Sequence, residues 1–390
     1  MRIAHIANFY GPTSGGLRTS MHALGEHYTG AGHEVLLVVP GPAHADEETP
    51  FGRRVTIAAP VVPFTGGYRV ILNVRRVRRC LADFAPDALE VSDRTTLRSL
   101  GTWARARGIP SVFFAHERAD GVLRSALPRW LERLVPLRRL ADAHNRGTAR
   151  RFTTIVCTTG FAAEEFERAG LPTTLIPLGV DLETFHPRNA SARLRAEFAP
   201  PGTPLLVMAS RLSAEKRPEL AIEAVRDLIA RGNEVRLVSA GTGAIDTKIR
   251  SLAAGLPVTF LGFVPERERV AALLASADVV IAPGPIETFG LAALEALASG
   301  TPVVVNADSA LPSVAGEAGF AAHGTARDFA DAVLTALAEP EQARRARARA
   351  RAEQFPWSHT RDALLALHAA NAAHLSRSIV ERRHAGGTHE

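Results

Sequence analysis

Two glutamates in an apolar segment are the residues whose type and spacing first suggest chemistry. Glu287 and Glu295 lie in GPIETFGLAALEALASGTPVVV, residues 284 to 305. In one continuous helix their eight-residue separation would place them about 12 Å apart, at a rise of about 1.5 Å per residue. They cannot hold one atom, and they are too far apart for the carboxylate pair of a retaining glycosidase, at about 5 Å. The pair could instead span one ligand.

The segment between the glutamates contains a predicted helix start. Gly290 is unfavourable inside a helix, and residues 283–285 read Pro-Gly-Pro, so we expect the helix to begin near Phe289. The amides of Gly290 and Leu291 could then bind phosphate oxygens, helped by the helix dipole. The first glutamate would bond sugar hydroxyls from the entry loop, and the second would accept bonds from a ribose. Alternatively, the first only caps the helix and the second is merely exposed.

Two basic residues follow the first strand of the second half of the chain. Arg211 and Lys216 lie in ASRLSAEKRPELAIEAV, on a loop that leads into a helix. Such loops lie at the carboxyl edge of a parallel sheet, where α/β proteins bind ligands. An arginine fork and a flexible lysine can together neutralise two adjacent phosphates. The alternative is an ordinary solvated loop.

A glycine pair occupies the corresponding place in the first half. Gly15 and Gly16 lie in NFYGPTSGGLRTS, which follows the first strand and opens a helix, with Arg18 close by. Glycines in this position let backbone amides approach a phosphate at a helix N-terminus. Because the spacing is not Gly-x-Gly-x-x-Gly, a tight turn without a ligand is the competing interpretation.

Short apolar runs alternate with amphipathic helical stretches, which predicts an α/β fold of two Rossmann-like, doubly wound parallel sheets. The strands of the first half are predicted at RIAHIA, EVLLVV, RVTIAA, DALEV, SVFFAH and TIVCTT, and those of the second at PLLVMAS, EVRLVSAG, VTFLGF, DVVIAP and TPVVVN. The connector IPLGVDLETFHPRNAS, 176 to 191, predicts a boundary near 180 to 188. The expected domains are residues 1–180, completed by a helix over 357–375, and residues 188–356, with a flexible tail over 376–390.

Composition limits the class of protein. With 390 residues and 46% hydrophobic composition, the chain is long enough for two domains. A net charge of +6 suggests an anionic partner, but no zinc-finger, KH or RRM motif accompanies it, so nucleic acid is not expected. No secretory leader or membrane span is read from the sequence, and its two cysteines, Cys80 and Cys157, have no metal-ligand spacing. A cytoplasmic protein is predicted.

Taken together, several motifs resemble family 4 glycosyltransferases of the GT-B fold, over nearly the whole chain. The motifs are Gly15-Gly16, SRLSAEK, FLGF, ADVVIAPGPIETFGLAALEALASGTPVV and the PLGVDLETFHP connector. Within that family, NFYGPTSGGLRTS, PFTGGYR, LEVSDRTTLRSLG and HERAD are most similar to the bacterial GDP-mannose-dependent phosphatidylinositol mannoside mannosyltransferases. The resemblance implies two domains that face a central cleft and a nucleotide-sugar donor held chiefly by the second domain.

The resemblance also implies roles for residues at matching positions. Arg211 and Lys216 would contact the diphosphate, Glu295 the ribose and Glu287 the donor sugar. The remaining donor-binding positions are Gly16, Phe263 and Val264, whose backbone would read the base, and Phe289, Gly290 and Leu291. His116 would reach the donor sugar, although from the sequence alone it is a strand-end residue with a structural role. The implied catalytic set is His116, Arg211, Lys216 and Glu287.

Family members retain the anomeric configuration of the donor without a protein nucleophile. The protein then mainly stabilises the departing diphosphate, a task that suits Arg211, Lys216 and the amides at the predicted helix start. The leaving phosphate can accept the proton of the acceptor hydroxyl. Because no Asp-x-Asp motif occurs in the sequence, we expect no metal and no other cofactor.

The acceptor and any membrane contact are the least specific predictions. Acceptor candidates in the first domain are Tyr10, Arg18, Tyr68, Arg69, Asp93 and Arg94. In YRVILNVRRVRRCLADF a helix is predicted with Val70, Val74, Val77, Leu81 and Phe84 on one face. Its arginines could hold the enzyme on the anionic inner face of the cell membrane, or they could simply be solvated. The stretch ARRARARARA, 343 to 352, is predicted to be a solvated helix face.

Two alternatives remain open. The first is an enzyme of the same fold that uses a UDP- or GDP-sugar and a soluble acceptor, such as an inositol phosphate, a saccharide or a secondary metabolite. The second is a nucleotide-binding protein without transfer activity, which the combination of Arg211, Lys216, Glu287 and Glu295 disfavours.

Overall fold

The computed structural model describes residues 1–11, 15–63, 67–121 and 135–386, with side chains through 377. The chain forms two compact units. Unit 1 comprises Met1–Pro177 and Trp357–Glu390, and unit 2 comprises Leu178–Pro356. The chain passes from one unit to the other inside the predicted connector and returns where the last helix begins.

Unit 1 is built on an eight-stranded sheet with the order β3-β4-β2-β1-β5-β6-β7-β8. Its strands are β1 Arg2–Ala7, β2 Glu34–Gly41, β3 Ala45–Thr49, β4 Gly52–Ala58, β5 Ala88–Ser92, β6 Ser111–Ala115, β7 Thr154–Cys157 and β8 Thr174–Leu175. All pairings are parallel except that of β3 with β4. The interior strands are buried along nearly their whole length, because helices cover both faces of such a sheet.

The helices of unit 1 include the last helix of the chain. They are α1 Gly16–Gly30, α2 Val74–Phe84, α3 Ser99–Arg105, α4 Leu137–Ala149, α5 Gly160–Arg168 and, at the end of the chain, α14 Trp357–Gly386. Helix α14 packs against α1 and buries Leu364 and His368. It continues through Gly386 rather than ending at the predicted 375, so residues 376–386 are helical. The flexibility of this segment stays a prediction.

Strand β3 was not predicted because it has no apolar alternation. Its sequence ADEET is largely exposed, and it pairs antiparallel with β4 at the edge of the sheet. Asp46 forms an ion pair with Arg53, and Glu47 forms one with Arg54. Cross-strand charge pairs of this kind stabilise an edge strand and discourage further pairing with another chain.

Unit 2 contains a six-stranded, fully parallel sheet with the order β11-β10-β9-β12-β13-β14. Its strands are β9 Leu205–Ala209, β10 Arg236–Ala240, β11 Val258–Gly262, β12 Val279–Ala282, β13 Val303–Asn306 and β14 Gly319–Ala322. Its helices are α6 Ala192–Phe198, α7 Pro218–Ala230, α8 Asp246–Leu252, α9 Arg267–Ser276, α10 Leu291–Ala298, α11 Leu311–Ala315, α12 Ala326–Ala338 and α13 Glu341–Ala352. The strand order reverses between β9 and β12, which makes the carboxyl ends of those strands the switch point where ligands bind.

The arginine-rich helix α13 corrects one prediction. Arg344 is only 5% exposed, and Arg345, Arg349 and Arg351 are half-buried, so the helix does not present a solvated arginine face. Three of them donate hydrogen bonds to backbone carbonyls at or near the C-terminal ends of α9, α10 and α11 and in the 182–185 loop, namely those of Ala275, Ala277, Ala298, Ser313, Val314, Leu182 and Phe185. Carbonyls at helix ends carry partial negative charge and attract guanidinium groups.

Helix α2 has the predicted amphipathic character over a shorter range. Val77 and Leu81 are buried, and Arg75, Arg76 and Arg79 are exposed. Val70 is also buried, but it precedes the helix and so does not belong to its apolar face. In the part of the chain that the structure describes, no helix is long and apolar enough to cross a membrane.

Candidate nucleotide-sugar site

The candidate site in unit 2 lies at the switch point of its sheet. Arg211 and Lys216 follow β9, and the loop 283–290 follows β12, its neighbour in the sheet. The two segments are therefore adjacent although they are far apart in the sequence. This adjacency brings the two motifs predicted from the sequence into one site.

Lys216 and Glu287 are in direct contact. Their side chains form an ion pair, and each is 24% exposed. Gly284 allows this approach, since a Cβ atom there would lie 3.3 Å from the backbone of both Glu215 and Lys216. On the other side, the carbonyl oxygen of Glu287 accepts a hydrogen bond of 2.9 Å from the amide of Ala310, which precedes α11. The 284–287 loop thus packs closely against the backbone of Lys216 and is fixed by the hydrogen bond from Ala310.

Arg211 lies on a loop that is held by side chains of the same loop and by close packing against a second loop. One partner of its guanidinium is Glu215, at 3.2 Å, which also accepts a 2.6 Å hydrogen bond from Ser213. A Cβ atom at Gly241 would lie 2.0 Å from the carbonyl oxygen of Ser210, and one at Gly243 would meet that of Leu212 at 2.2 Å. Only glycine allows the two loops to approach so closely.

The glycines 241 and 243 were missed by the sequence analysis. They lie in Ser-Ala-Gly-Thr-Gly, whose first two residues end β10, and β10 is the neighbour of β9 on the other side. A Gly-x-Gly step at the carboxyl end of a predicted parallel strand is the signal that could have identified them.

Helix α10 begins at Leu291, two positions later than predicted. Gly290 has φ of 87°, a left-handed conformation that ends the loop and sets the direction of the helix. Its carbonyl accepts hydrogen bonds from Ala293 and Leu294 at 3.0 and 3.1 Å, so the first turn is regular. The amides of Leu291 and Ala292, which precede those two donors, have no acceptor within the helix and could bind an anionic ligand. Phe289 is buried beside the ring of Phe355 and anchors the loop.

Glu295 lies in the second turn of α10 and is half-buried. Burial raises the pKa of its carboxyl to about 7, and this effect is partly offset by Arg267 and increased by Asp181. A carboxyl with this pKa changes between its ionised and neutral forms when the pH or the environment changes slightly. It is therefore a candidate ligand group rather than an inert surface acid.

Phe263 and Val264 follow β11 at the same edge of the sheet. Phe263 is 46% exposed, which is unusual for a large aromatic side chain. The preceding Gly262 has a positive φ of 69°, and its carbonyl accepts a 2.7 Å hydrogen bond from the amide of Gly241. The segment predicted to read a base is thus tied to the glycine loop that supports Arg211.

In unit 1, the predicted donor residues follow β1 and β6, which are separated in the sheet by β5. Gly16 is exposed at the first position of α1, after β1. Residues 12–14 of the same loop lie outside the described residues. His116 follows β6 and is half-buried, and its Nε2 atom lies 3.0 Å from Oγ of Ser92, at the end of β5. Burial lowers the pKa of His116 to about 3, so its imidazole is neutral.

Two of the acceptor candidates have strong internal partners. The carboxylate of Asp93 is buried and accepts hydrogen bonds from the amides of Thr95 and Leu97, which makes it the cap of a short turn. Arg94 donates to Asn145 and forms a 2.6 Å ion pair with the fully buried Glu165. These contacts account for both side chains without an acceptor, so the structure gives this assignment no support.

The contacts of the other four acceptor candidates leave their assignment undecided. Tyr10 is 2.5 Å from Nε2 of His22, the ring of Tyr68 packs edge-on against Phe9, and Arg69 donates to the carbonyl of Ala59. Arg18 is half-buried in the first turn of α1. All four stay predicted acceptor contacts. Residues 64–66 of the PFTGGYR motif lie outside the described residues.

Each of the two α/β units has a point where the strand order reverses, and in unit 2 a basic pair lies there beside a helix N-terminus. This is the arrangement with which α/β proteins bind phosphorylated ligands. Residues 192–353 match the family model described as "Glycosyl transferases group 1", and residues 14–184 match the one described as "Glycosyltransferase Family 4". The chain belongs to this glycosyltransferase family, and the predicted resemblance is confirmed.

The chain is similar to two named mannosyltransferases. The chain is 48% identical over 369 residues to the GDP-mannose-dependent alpha-(1-6)-phosphatidylinositol dimannoside mannosyltransferase of Mycobacterium tuberculosis, covering 94% of this chain and 95% of the relative. It is 28% identical over 318 residues to a GDP-mannose-dependent alpha-mannosyltransferase of Mycolicibacterium smegmatis, covering 78% and 79%.

Solved structures share the fold at low identity. A sucrose-phosphate synthase from Thermosynechococcus elongatus has a TM-score of 0.76 at 21% identity, over 95% of this chain and 99% of the other. Anabaena HepE in complex with UDP and glucose has a TM-score of 0.71 at 17% identity, over 94% and 99%. The predicted class of fold, GT-B with two Rossmann-like parallel-sheet domains, is confirmed.

Proposed function

We propose that this chain transfers mannose from GDP-mannose to a hydroxyl of a phosphatidylinositol mannoside-type glycolipid, with retention of anomeric configuration. The observation that carries the proposal is 48% identity over 94% of the chain to a mycobacterial enzyme named for that donor and lipid. A weaker similarity to a second GDP-mannose-dependent enzyme supports the same donor.

Unit 2 has the groups that the chemistry requires. In the transfer, a bond forms between the acceptor oxygen and the anomeric carbon, and the bond from that carbon to the diphosphate oxygen breaks. The proton of the acceptor hydroxyl passes to the leaving phosphate. Arg211, Lys216 and the first-turn amides of α10 would stabilise the negative charge that develops on the diphosphate. No protein nucleophile takes part.

The ion pair between Lys216 and Glu287 gives each residue a second role. Lys216 is held by Glu287 before the donor binds, so its ammonium is already near the place of the diphosphate. The remaining oxygen of Glu287 can accept a hydrogen bond from a sugar hydroxyl. Preorganised charges of this kind cost little reorganisation during the reaction, which is the main source of electrostatic catalysis.

We further propose that no metal ion is required, because the protein's own cations occupy the place where a metal would act on the diphosphate. The test is the transfer rate in EDTA and after addition of magnesium. An unchanged rate supports the proposal. Activity that EDTA abolishes and magnesium restores would contradict it.

The activity itself is tested with purified enzyme, radiolabelled GDP-mannose and phosphatidylinositol dimannoside in detergent. We expect a labelled trimannoside product and GDP release in equal amounts. Parallel reactions contain UDP-glucose or UDP-N-acetylglucosamine as donor, or inositol phosphate as acceptor. Transfer to inositol phosphate but not to the lipid would favour the soluble-acceptor alternative, and failure to bind any nucleotide sugar would exclude the enzyme proposal.

Donor affinity is expected to depend on pH through Glu295. An ionised carboxylate accepts hydrogen bonds from ribose hydroxyls at both oxygens, whereas a protonated carboxyl carries a donor on one of them, and burial raises the pKa of Glu295 to about 7. As pH falls through that value the ionised fraction falls, so the Kd for GDP-mannose should rise by up to about tenfold per pH unit. The measurement is isothermal titration calorimetry with GDP-mannose, whose diphosphate does not titrate in this range.

The Glu295→Gln variant should bind GDP-mannose more weakly near pH 8 and lose most of this pH dependence. Glu317→Gln is a matched control, because Glu317 is an exposed carboxylate of the same unit. A wild-type Kd that is flat with pH would show that Glu295 does not contact the donor.

We also propose that helix α2 contacts anionic membrane through its exposed arginines. At about 1 kcal/mol for each basic residue, Arg75→Gln with Arg79→Gln should weaken binding to anionic vesicles about thirtyfold. Co-sedimentation with vesicles of phosphatidylglycerol and phosphatidylcholine measures it. The control is Arg193→Gln with Arg269→Gln, which removes the same charge from exposed positions of unit 2. Equal loss in both variants would indicate a general charge effect.

A further inference from the structure

A chain of buried polar groups connects His116 to the centre of unit 1. Oγ of Ser92 lies 3.0 Å from Nε2 of His116 and 2.8 Å from Nε2 of His5. Nδ1 of His5 lies 3.2 Å from Oε2 of Glu90, which is fully buried on β5. The rings of His5 and His116 both stack against Phe114, at centroid distances of 5.7 and 5.3 Å, so packing holds both imidazoles.

The other oxygen of Glu90 is occupied by two donors. The hydroxyl of Tyr28 on α1 and Nε2 of His368 on α14 each lie 2.8 Å from Oε1. Both residues are at most 1% exposed. Since a phenol and an imidazole donate to the same atom, Oε1 is an acceptor, and Oε2 is left to face His5.

The carboxylate fixes the order of protons along this chain. Nδ1 of His5 faces Oε2 at 3.2 Å as an ion-pair contact without hydrogen-bond geometry, and beside an ionised carboxylate that nitrogen carries a proton rather than a lone pair. In a neutral His5 the Nε2 atom then accepts, and it takes the hydroxyl proton of Ser92. The oxygen of Ser92 in turn accepts from His116, whose Nε2 must carry a proton. In a neutral His116 the Nδ1 atom is therefore an acceptor.

The protonation states agree with this order. Burial lowers the pKa of His5 and of His116, the latter to about 3, so both imidazoles are neutral. Burial alone would raise the pKa of Glu90, but the hydrogen bonds from His368 and Tyr28 outweigh it and lower the pKa, so Glu90 is ionised.

We propose that Glu90, through His5 and Ser92, sets the tautomer of His116, so that its Nε2 carries the proton and its Nδ1 is an acceptor. Glu90, His5 and Ser92 are positioning residues, whereas His116 is the group that meets substrate. A ligand atom at Nδ1 must then be a donor, such as a sugar hydroxyl, and a carbonyl or phosphate oxygen is excluded there. The nature of the ligand atom at Nδ1 rests on the proposed function, whereas the tautomer of His116 does not.

Substitution Glu90→Gln is the sharpest test, because the amide has one acceptor and one donor end. Tyr28 and His368 both donate to Oε1, so the glutamine oxygen should occupy that position and its NH₂ group should face His5. Nδ1 of His5 then accepts, its Nε2 donates to Ser92, and Ser92 donates to Nε2 of His116. The tautomer of His116 should switch from Nε2–H to Nδ1–H.

The measurement is the pair of ring ¹⁵N shifts of His116 in long-range ¹⁵N–¹H spectra of the full chain. In the wild type we expect Nε2 to be of the protonated type and Nδ1 of the unprotonated type, with the reverse in Glu90→Gln. His44 is an internal control, because its Nδ1 accepts from the amide of Ala58 at 3.1 Å and its tautomer should not change.

Two further variants keep the proposal falsifiable if Glu90→Gln does not fold. Ser92→Ala removes the link and should leave His116 as a mixture of tautomers, with kcat/KM about tenfold lower, as for one lost hydrogen bond. Ser92→Thr keeps the hydroxyl and should restore both the single tautomer of His116 and the value of kcat/KM. In Glu90→Gln combined with Ser92→Ala, the first substitution should no longer affect His116.

A wild-type His116 protonated at Nδ1 would overturn the proposal, as would a folded Glu90→Gln variant with an unchanged tautomer. If the tautomer switches but transfer activity is unaffected, the hydrogen-bonded chain exists and the role of His116 in the proposed function is wrong. The experiments therefore distinguish a failure of the proposed tautomer control from a failure of the proposed function.

Discussion

Replacing Lys216 with alanine should lower kcat about 10² to 10³-fold, as expected for the loss of one preorganised group that stabilises a developing anion. The reason is its position at the switch point, next to α10 and in contact with Glu287. The diphosphate gains charge as the bond to the sugar breaks, so the missing ammonium costs more in the transition state than in the bound donor. KM for GDP-mannose should change by a smaller factor.

Stability should be nearly unaffected by Lys216→Ala. Both side chains of the ion pair are 24% exposed, so water can solvate the remaining carboxylate of Glu287. The thermal midpoint of the variant should therefore lie close to that of the wild type. This separates a catalytic effect from a folding defect.

Lys248→Ala is the matched control, because Lys248 is the other lysine of the chain and is exposed on α8. It should have wild-type kinetics. Lys216→Arg should rescue only part of the activity, since a planar guanidinium does not place its charge where the ammonium was. Wild-type kcat in Lys216→Ala would remove this residue from the mechanism.

Replacing Gly290 with alanine should have the largest effect on stability and should also damage the site. Gly290 has φ of 87°, and a Cβ atom there would lie 2.2 Å from Cδ2 of Leu311. The left-handed backbone costs about 1–2 kcal/mol for a residue with a side chain. The contact with Leu311 adds about 1–3 kcal/mol of overpacking. A loss of about 2–5 kcal/mol is a large part of the stability of an ordinary domain.

Gly255→Ala separates the two contributions. Gly255 has a similar φ of 78° in the same unit, but a Cβ atom there meets nothing within 4 Å. It should lose only the backbone contribution, of about 1–2 kcal/mol. Denaturant unfolding of both variants measures the difference, and donor affinity should fall only in Gly290→Ala because the first-turn amides of α10 move. Equal destabilisation of the two variants would contradict the role assigned to Leu311.

The apolar strands were predictable because burial on both faces of a parallel sheet leaves continuous runs of Val, Ile, Leu and Ala. Strand β3 was not, because its stability comes from charge pairs with β4 rather than from apolar residues. Helix α13 was predicted as a helix but assigned the wrong environment. Alternating alanine and arginine shows that a helix can form, but not that carbonyls at neighbouring helix ends will accept its guanidinium groups.

The sequence by itself determined the class of fold, the family and the motifs of the candidate donor site. Motifs such as Glu287 to Glu295 are local, since each lies in one loop and the helix that follows. Only the tertiary structure decided which of these loops are neighbours and which polar residues form the chain to His116. His5, Glu90, Ser92 and His368 come from three distant segments, and His368 lies 278 positions after Glu90. In the sequence each is one polar residue in an apolar element, and only the packing of β1, β5 and α14 makes them partners.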